Sequence, residues 1–124
     1  MRPEDRIHLN ICEWIKIQYP KVIFTSDPSG LRLPIGQATK LARMRSGSKL
    51  PDIWIPEPAG IYHGLFLEVK AESPFRKDGA LYADDHIKEQ AVMIERLKKK
   101  GYQAMFVWSL EQAIVEFKKY MQGK

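Results

Sequence analysis

Glu68 and Lys70 stand two residues apart at the end of an otherwise apolar run, Leu65-Phe66-Leu67-Glu68-Val69-Lys70. In a strand, alternate side chains share a face, so Leu65, Leu67 and Val69 point one way and Phe66, Glu68 and Lys70 the other. A carboxylate and an ammonium are thus aimed together from a stretch where burying either is costly unless it finds a partner. Upstream, Asp52 opens a second apolar run directly after Pro51. If the two runs pair as a hairpin, Asp52 meets Glu68 and Lys70 at one end of the sheet. Two carboxylates converging beside a lysine suit a hard divalent cation, since magnesium takes oxygen ligands and typically one or two carboxylates plus substrate phosphate. Such an ion polarises a phosphodiester and lowers the pKa of a bound water. The lysine holds the attacking hydroxide or offsets charge building on the phosphate. By spacing alone, a plain Glu68–Lys70 salt bridge accounts for the same residues.

The elements that must position these residues are readable from periodicity and punctuation. Pro3, Glu4 and Asp5 mark a helix start, with anions at the positive end of its dipole. Ile7, Ile11, Trp14 and Ile15 follow at helical spacing, and Tyr19-Pro20 closes the element. Residues 21–25 read as a strand, 27–30 (Asp-Pro-Ser-Gly) as a turn, and 35–44 as a second, basic helix. Residues 52–55 and 65–70 are strands separated by the turn 56–60, and 71–81 is a polar loop. Ile87, Ala91, Ile94 and Leu97 make 84–100 an amphipathic helix that Gly101 stops. Residues 103–108 form a last strand. Ser109 then caps a final helix, with Gln112 as its capping-box partner and Ile114, Phe117 and Met121 on its buried side. The order is α-β-(α)-β-β-α-β-α, an α/β architecture with a mixed sheet flanked by helices.

At 124 residues the chain has the size of one domain, spanning 1–124. Hydrophobic residues make up 44% and charged residues 28%, a globular composition, and no apolar run approaches the roughly 20 residues that cross a bilayer. The first residues lack the apolar stretch of a secretory signal, so a cytoplasmic location is expected. The single cysteine, Cys12, excludes an intramolecular disulfide and a zinc site built of cysteines. The net charge is +5, and between Pro28 and Pro51 lie Arg32, Lys40, Arg43, Arg45 and Lys49 with no acidic residue. Concentrated positive charge attracts a polyanion by releasing its counterions, which makes nucleic acid the leading partner class; a solvated basic face is the plain alternative.

Pro51-Asp52 followed by Glu68-Val69-Lys70 resembles the PD-(D/E)xK nuclease signature, and the chain is similar to the virus-type replication-repair nuclease (VRR-NUC) family in its small stand-alone form. The resemblance runs through Trp14-Ile15-Lys16-Ile17-Gln18-Tyr19-Pro20, Pro51-Asp52-Ile53-Trp54-Ile55-Pro56, the stretch from Tyr62 to Lys70, Glu89-Gln90, Gly101-Tyr102 and the stretch from Ser109 to Ile114. It implies a restriction-endonuclease-like core. It further implies that Asp52, Glu68 and the Val69 carbonyl bind Mg²⁺ or Mn²⁺, that Lys70 orients the nucleophilic water, and that Gln90 supports the site. Glu4 fits the family's acidic residue on the first helix, with Glu13 as runner-up; the glutamine that should follow is His8 here. The glycine two residues before the motif proline is Lys49, which changes a tight backbone position and adds a charge near the metal for phosphate contact, and the loop after Lys70 is longer than expected. Its Arg76 and Lys77, with the five basic residues of 28–51, are the expected DNA contacts, on a loop read as mobile. The function implied is a metal-dependent endodeoxyribonuclease acting on branched DNA, a homodimeric Holliday-junction resolvase, in a phage or its host. A catalytically silent DNA-binding module, or a nuclease for flaps, duplex or RNA, remains open at this point.

Other residues read more plainly. Asp84, Asp85 and His86 are helix-start residues rather than a metal cluster. His63 is a turn-adjacent structural imidazole, and Lys98-Lys99-Lys100 suits a helix C-terminus. Trp14, Trp54 and Trp108 read as core or interface, and Cys12 as a small buried hydrophobe.

Overall fold

In the computed structural model, residues 1–28 and 31–124 are described. Of the expected turn at 27–30, Ser29 and Gly30 lie outside them. The elements follow the order α1 (Pro3–Gln18), β1 (Thr25–Ser26), α2 (Ile35–Arg43), β2 (Ile53–Ile55), β3 (Leu65–Val69), α3 (Asp85–Lys99), β4 (Gln103–Val107) and α4 (Leu110–Met121). The four strands form one sheet in the order β1-β2-β3-β4. β1 and β2, and β2 and β3, pair antiparallel, whereas β3 and β4 are parallel with α3 as the crossover. The expected mixed sheet flanked by helices is therefore present. No helix among the described residues is long and apolar enough to cross a membrane.

The alternation of β3 sorts its side chains between two apolar layers. Leu65, Leu67 and Val69 join Ile53 and Ile55 of β2 against Ile11 and Ile15 of α1 and Ala113, Phe117 and Tyr120 of α4. Phe66, on the opposite face, packs with Ala104 and Phe106 of β4 under Met93, Ile94 and Leu97 of α3. Each fully buried aliphatic side chain contributes about 1.5–3 kcal/mol of burial free energy, so β3, buried along its whole length, is the element both layers share.

Three local features differ from expectation. The strand expected at 21–25 is reduced to Thr25–Ser26, because Val22 and Phe24 pack against the core without joining the ladder. Gln112 donates its backbone N–H to Ser109 Oγ (3.0 Å), but its side-chain carbonyl accepts from the Trp108 N–H (3.0 Å), one residue earlier than a capping box requires. Cys12 is half-buried, 3.7 Å from Ser26 Oγ, rather than fully enclosed.

Gly101 ends α3 with φ +96°, and a side chain there would also collide with the His63 ring, 2.5 Å from where its Cβ would stand. His63 belongs to this corner: its N–H donates to the Gly101 carbonyl (2.9 Å) and its ring lies edge-on to Tyr102. This is the structural position expected for it, at the opposite end of β3 from Glu68.

α2 stands apart from the core and buries none of its residues. Leu67→Ala should lower the unfolding free energy by about 2–5 kcal/mol, while Ile35→Ala, at a side chain 88% exposed, should change it by less than about 0.5 kcal/mol, both read from urea denaturation.

Candidate active site

Asp52 immediately precedes β2 and Glu68 is the fourth residue of β3. The register Ile53↔Leu67 and Trp54↔Phe66 puts Asp52 directly opposite Glu68 on the face that also carries Phe66. Both carboxylates are buried, with exposures of 7% and 3%. The hairpin geometry anticipated from the sequence thus brings them together.

Each carboxylate is met by specific donors. Asp52 Oδ2 accepts the Val69 backbone N–H at 2.8 Å, and its Oδ1 lies 2.8 Å from Lys49 Nζ. The same ammonium is 3.8 Å from Glu68 Oε1. Gln90, reaching down from α3, donates Nε2 to Glu68 Oε1 (2.8 Å) and accepts from Lys70 Nζ through Oε1 (3.1 Å). Glu68 and Lys70 therefore meet through the Gln90 amide. His86, one helical turn before Gln90, lies 3.2 Å from Gln90 Nε2 through its own Nε2, within reach of the second amide hydrogen. That orients the Gln90 carbonyl toward Lys70.

Burial pushes the Glu68 carboxyl up to about 8, with the adjacent Asp52 charge adding to the shift and the Lys49 ammonium opposing it. Burial also works against the charged form of Lys49, but Glu68 and Asp52 outweigh it and hold that ammonium above the usual lysine range. His8, on α1, is pushed below the usual histidine range by burial, against the opposing pull of Asp52; its Nε2 bonds Ser26 Oγ at 2.9 Å.

The first turns of α1 and α3 converge beyond the end of β3. A cleft of about 470 Å³ is lined there by Glu4 from α1, Lys70, Glu72 and Pro74, and Asp84 and Ile87 at the start of α3. Glu4 thus shares a cleft with Lys70, whereas Glu13 is exposed further along the helix. The Asp84 side chain caps α3 by accepting the Ile87 N–H at 3.0 Å, the helix-start role expected of it.

No protein-family model matches the chain, and no curated protein does. Among solved structures, that of a VRR_NUC domain protein superimposes with a TM-score of 0.69 and 27% sequence identity, covering 99% of this chain and 91% of the other. This chain has the VRR-NUC fold. The family resemblance read from the Pro51-Asp52 and Glu68-Val69-Lys70 motifs agrees with a neighbour that spans nearly the whole of both chains.

On this VRR-NUC framework the basic residues separate into three groups. Arg32, Lys40 and Arg43 are exposed, the last two on α2. Arg45 is half-buried in an ion pair with Asp27 (2.8 Å), and Lys49 lies between the two carboxylates. Arg76 and Lys77 are exposed on the 71–84 loop, where Arg76 pairs with Asp78 at 3.4 Å. That loop is folded on itself: Phe75 bridges to Leu81 and sets its ring edge-on to Phe106 and Trp108. Trp14 packs on Tyr19 and Phe117, while Trp54 stacks parallel on Phe66 and keeps 37% exposure.

Sequence reasoning set the Lys49 charge near the metal site, as a phosphate contact, but missed its bridging of the two carboxylates and the contact from His86 to Gln90. The second had a signal in the four-residue spacing on one helix face; the first had only the three-residue spacing from Lys49 to Asp52.

No group of three or more His, Cys, Asp or Glu among the described residues is placed to hold a metal ion. The donor set is smaller and harder: two buried carboxylates facing a single ammonium, with the Val69 N–H bonded to Asp52. This fits an octahedral cation that retains several waters.

Glu68 should make the metal-free protein less stable as pH rises. A carboxyl raised on folding from an ordinary 4.5 to about 8 contributes its full stabilisation below pH 4.5 and loses it progressively up to about pH 8. The urea midpoint in EDTA should therefore fall over that window relative to Glu68→Gln, in which this carboxyl is absent. Parallel pH profiles for the two proteins would contradict the buried, proton-holding carboxyl.

Proposed function

We propose that the chain is a Mg²⁺- or Mn²⁺-dependent endodeoxyribonuclease. The observation that carries the reading is the buried Asp52–Glu68 pair joined to Lys70 through the Gln90 amide. In this reading Asp52, Glu68 and the Val69 carbonyl hold the cation. The bound ion supplies charge stabilisation at the scissile phosphate and a more acidic water. Lys70, its ammonium set by Gln90 at 3.1 Å, holds the attacking water toward the phosphorus from the cleft it shares with Glu4. Gln90 and His86 are positioning residues. The first turns of α1 and α3 at the cleft present the positive ends of two helix dipoles to a phosphate, and Lys70 adds a full charge.

For the substrate we propose DNA, branched rather than plain duplex, cut by a homodimer as a four-way-junction resolvase in the cytoplasm of a cell or of a phage's host. What supports this is the family likeness together with the exposed cations of α2 and of the 71–84 loop. Lys40 and Arg43 are the proposed phosphate contacts of α2, alongside Arg32, and Arg76 and Lys77 those of the loop. Arg45 enters this set only by leaving Asp27. One observation favours a catalytically silent DNA-binding module instead: Lys49 already neutralises the carboxylate pair.

Cleavage of a labelled four-way junction, a flap, a splayed arm and linear duplex in Mg²⁺ and Mn²⁺ separates these readings. Metal-dependent cuts should fall at least about a hundredfold in Asp52→Asn, Glu68→Gln and Lys70→Ala. Paired symmetric nicks confined to the junction are expected, with a dimer in sedimentation at micromolar concentration. Tight binding without cuts would instead establish the silent module. Arg43→Ala should weaken binding alike across sequences and reduce the slope of log K against log salt by about one. An unchanged slope would remove α2 from the interface.

A further inference from the structure

Lys49 occupies the place where a cation serving both carboxylates has to stand. Its Nζ is 2.8 Å from Asp52 Oδ1 and 3.8 Å from Glu68 Oε1, whereas the site's other ammonium, on Lys70, is taken up by Gln90. Two buried carboxyls facing each other across a strand pair cannot both ionise cheaply, and even one buried charge left uncompensated is strongly destabilising, so a positive charge beside Asp52 serves the metal-free fold. A divalent ion and an ammonium at contact distance of the same oxygens exclude one another by charge and by volume. Lys49 is also built to withdraw. It lies on the segment between α2 and β2, anchored by the buried Pro51, with its side chain 26% exposed and a flexible four-carbon stem that reaches solvent while the backbone stays in place.

We propose that Lys49 is a tethered counter-cation: it neutralises the Asp52–Glu68 pair in the metal-free protein and is displaced by the incoming divalent ion, with which it competes. The proposal rests on the metal-dependent reading of the site. It gives the lysine a positioning role at the carboxylates, distinct from a DNA contact, and it accounts for a stably paired site before metal arrives. Its cost is a weaker apparent metal affinity, because every binding event must break the Lys49–Asp52 bond.

The full chain and its Lys49→Met variant, which keeps the length and apolar stem but lacks the charge, are titrated calorimetrically with Mn²⁺ alone at pH 8, with Asp52→Asn as the control that removes a ligand. Lys49→Met should bind Mn²⁺ about tenfold more tightly than the wild-type chain. A purely structural brace predicts the opposite sign, since its loss would loosen the ligands; equal or weaker binding by Lys49→Met overturns the proposal. Should the variant fail to fold, amine labelling of the wild-type chain read by mass spectrometry decides instead. Mn²⁺ should increase the labelling of Lys49 relative to that of the exposed Lys77, and no increase overturns displacement. Mn²⁺ binding lost in Asp52→Asn but equal in the other two proteins sinks the Lys49 role and leaves the metal reading standing. No Mn²⁺ binding by any of the three sinks both.

Discussion

The antiparallel register of β2 and β3 sets two carboxylates opposite one another in the interior, and much of the surrounding chemistry answers that placement. Like charges directly across a strand pair destabilise a sheet, and burial at 3–7% exposure removes the water that would screen them. The molecule meets the cost in three ways. Glu68 holds its proton to about pH 8, Asp52 takes the Val69 N–H, and Lys49 inserts an ammonium. A structural protein would gain by replacing such a pair with apolar residues, since well-packed hydrophobes commonly match or exceed a buried ionic cluster in stability. A pair kept at this cost, linked through Gln90 to a lysine that lines a cleft, suits a site that trades its ammonium for a divalent ion.

The division of labour between the two faces of the sheet follows from the same strand. One face of β3 is given to α1 and α4 and makes the larger core; the other carries Phe66 under α3 and then Glu68, where the apolar layer ends. α3 therefore serves twice. Met93, Ile94 and Leu97 fix it to the sheet, and that fixed axis delivers Gln90 to the Glu68 carboxylate and His86 to Gln90. A helix held by its apolar face places a polar side chain more firmly than a loop can. α1 adds Glu4, which shares the cleft of Lys70, and His8, which feels the charge of Asp52.

Legibility in the sequence followed the range of the interactions. The alternation in β3, the apolar rows of α1 and α3, the Asp84 and Ser109 caps and the Gly101 stop are local, and each lies where the residues point. The meeting of Asp52 with Glu68 needed only one hairpin hypothesis. Where partners come from separate elements the reading ran short. Arg45 looks like one more surface cation until Asp27, eighteen residues away, is folded against it. Lys49 reads as a replaced glycine whose charge lies near the metal for phosphate contact, because nothing local says its side chain turns onto both carboxylates. Residues 21–25 have strand composition, yet Val22 and Phe24 spend it on the core, and only Thr25 and Ser26 reach β2.

Entry of a divalent ion between Asp52 and Glu68 is the step on which the proposed chemistry depends. Anomalous diffraction from a crystal grown with Mn²⁺ tests this directly. A peak is expected within coordination distance of both carboxylates and the Val69 carbonyl, with the Lys49 ammonium moved off Asp52. A saturated crystal with no peak there, and Lys49 still 2.8 Å from Asp52, would contradict it.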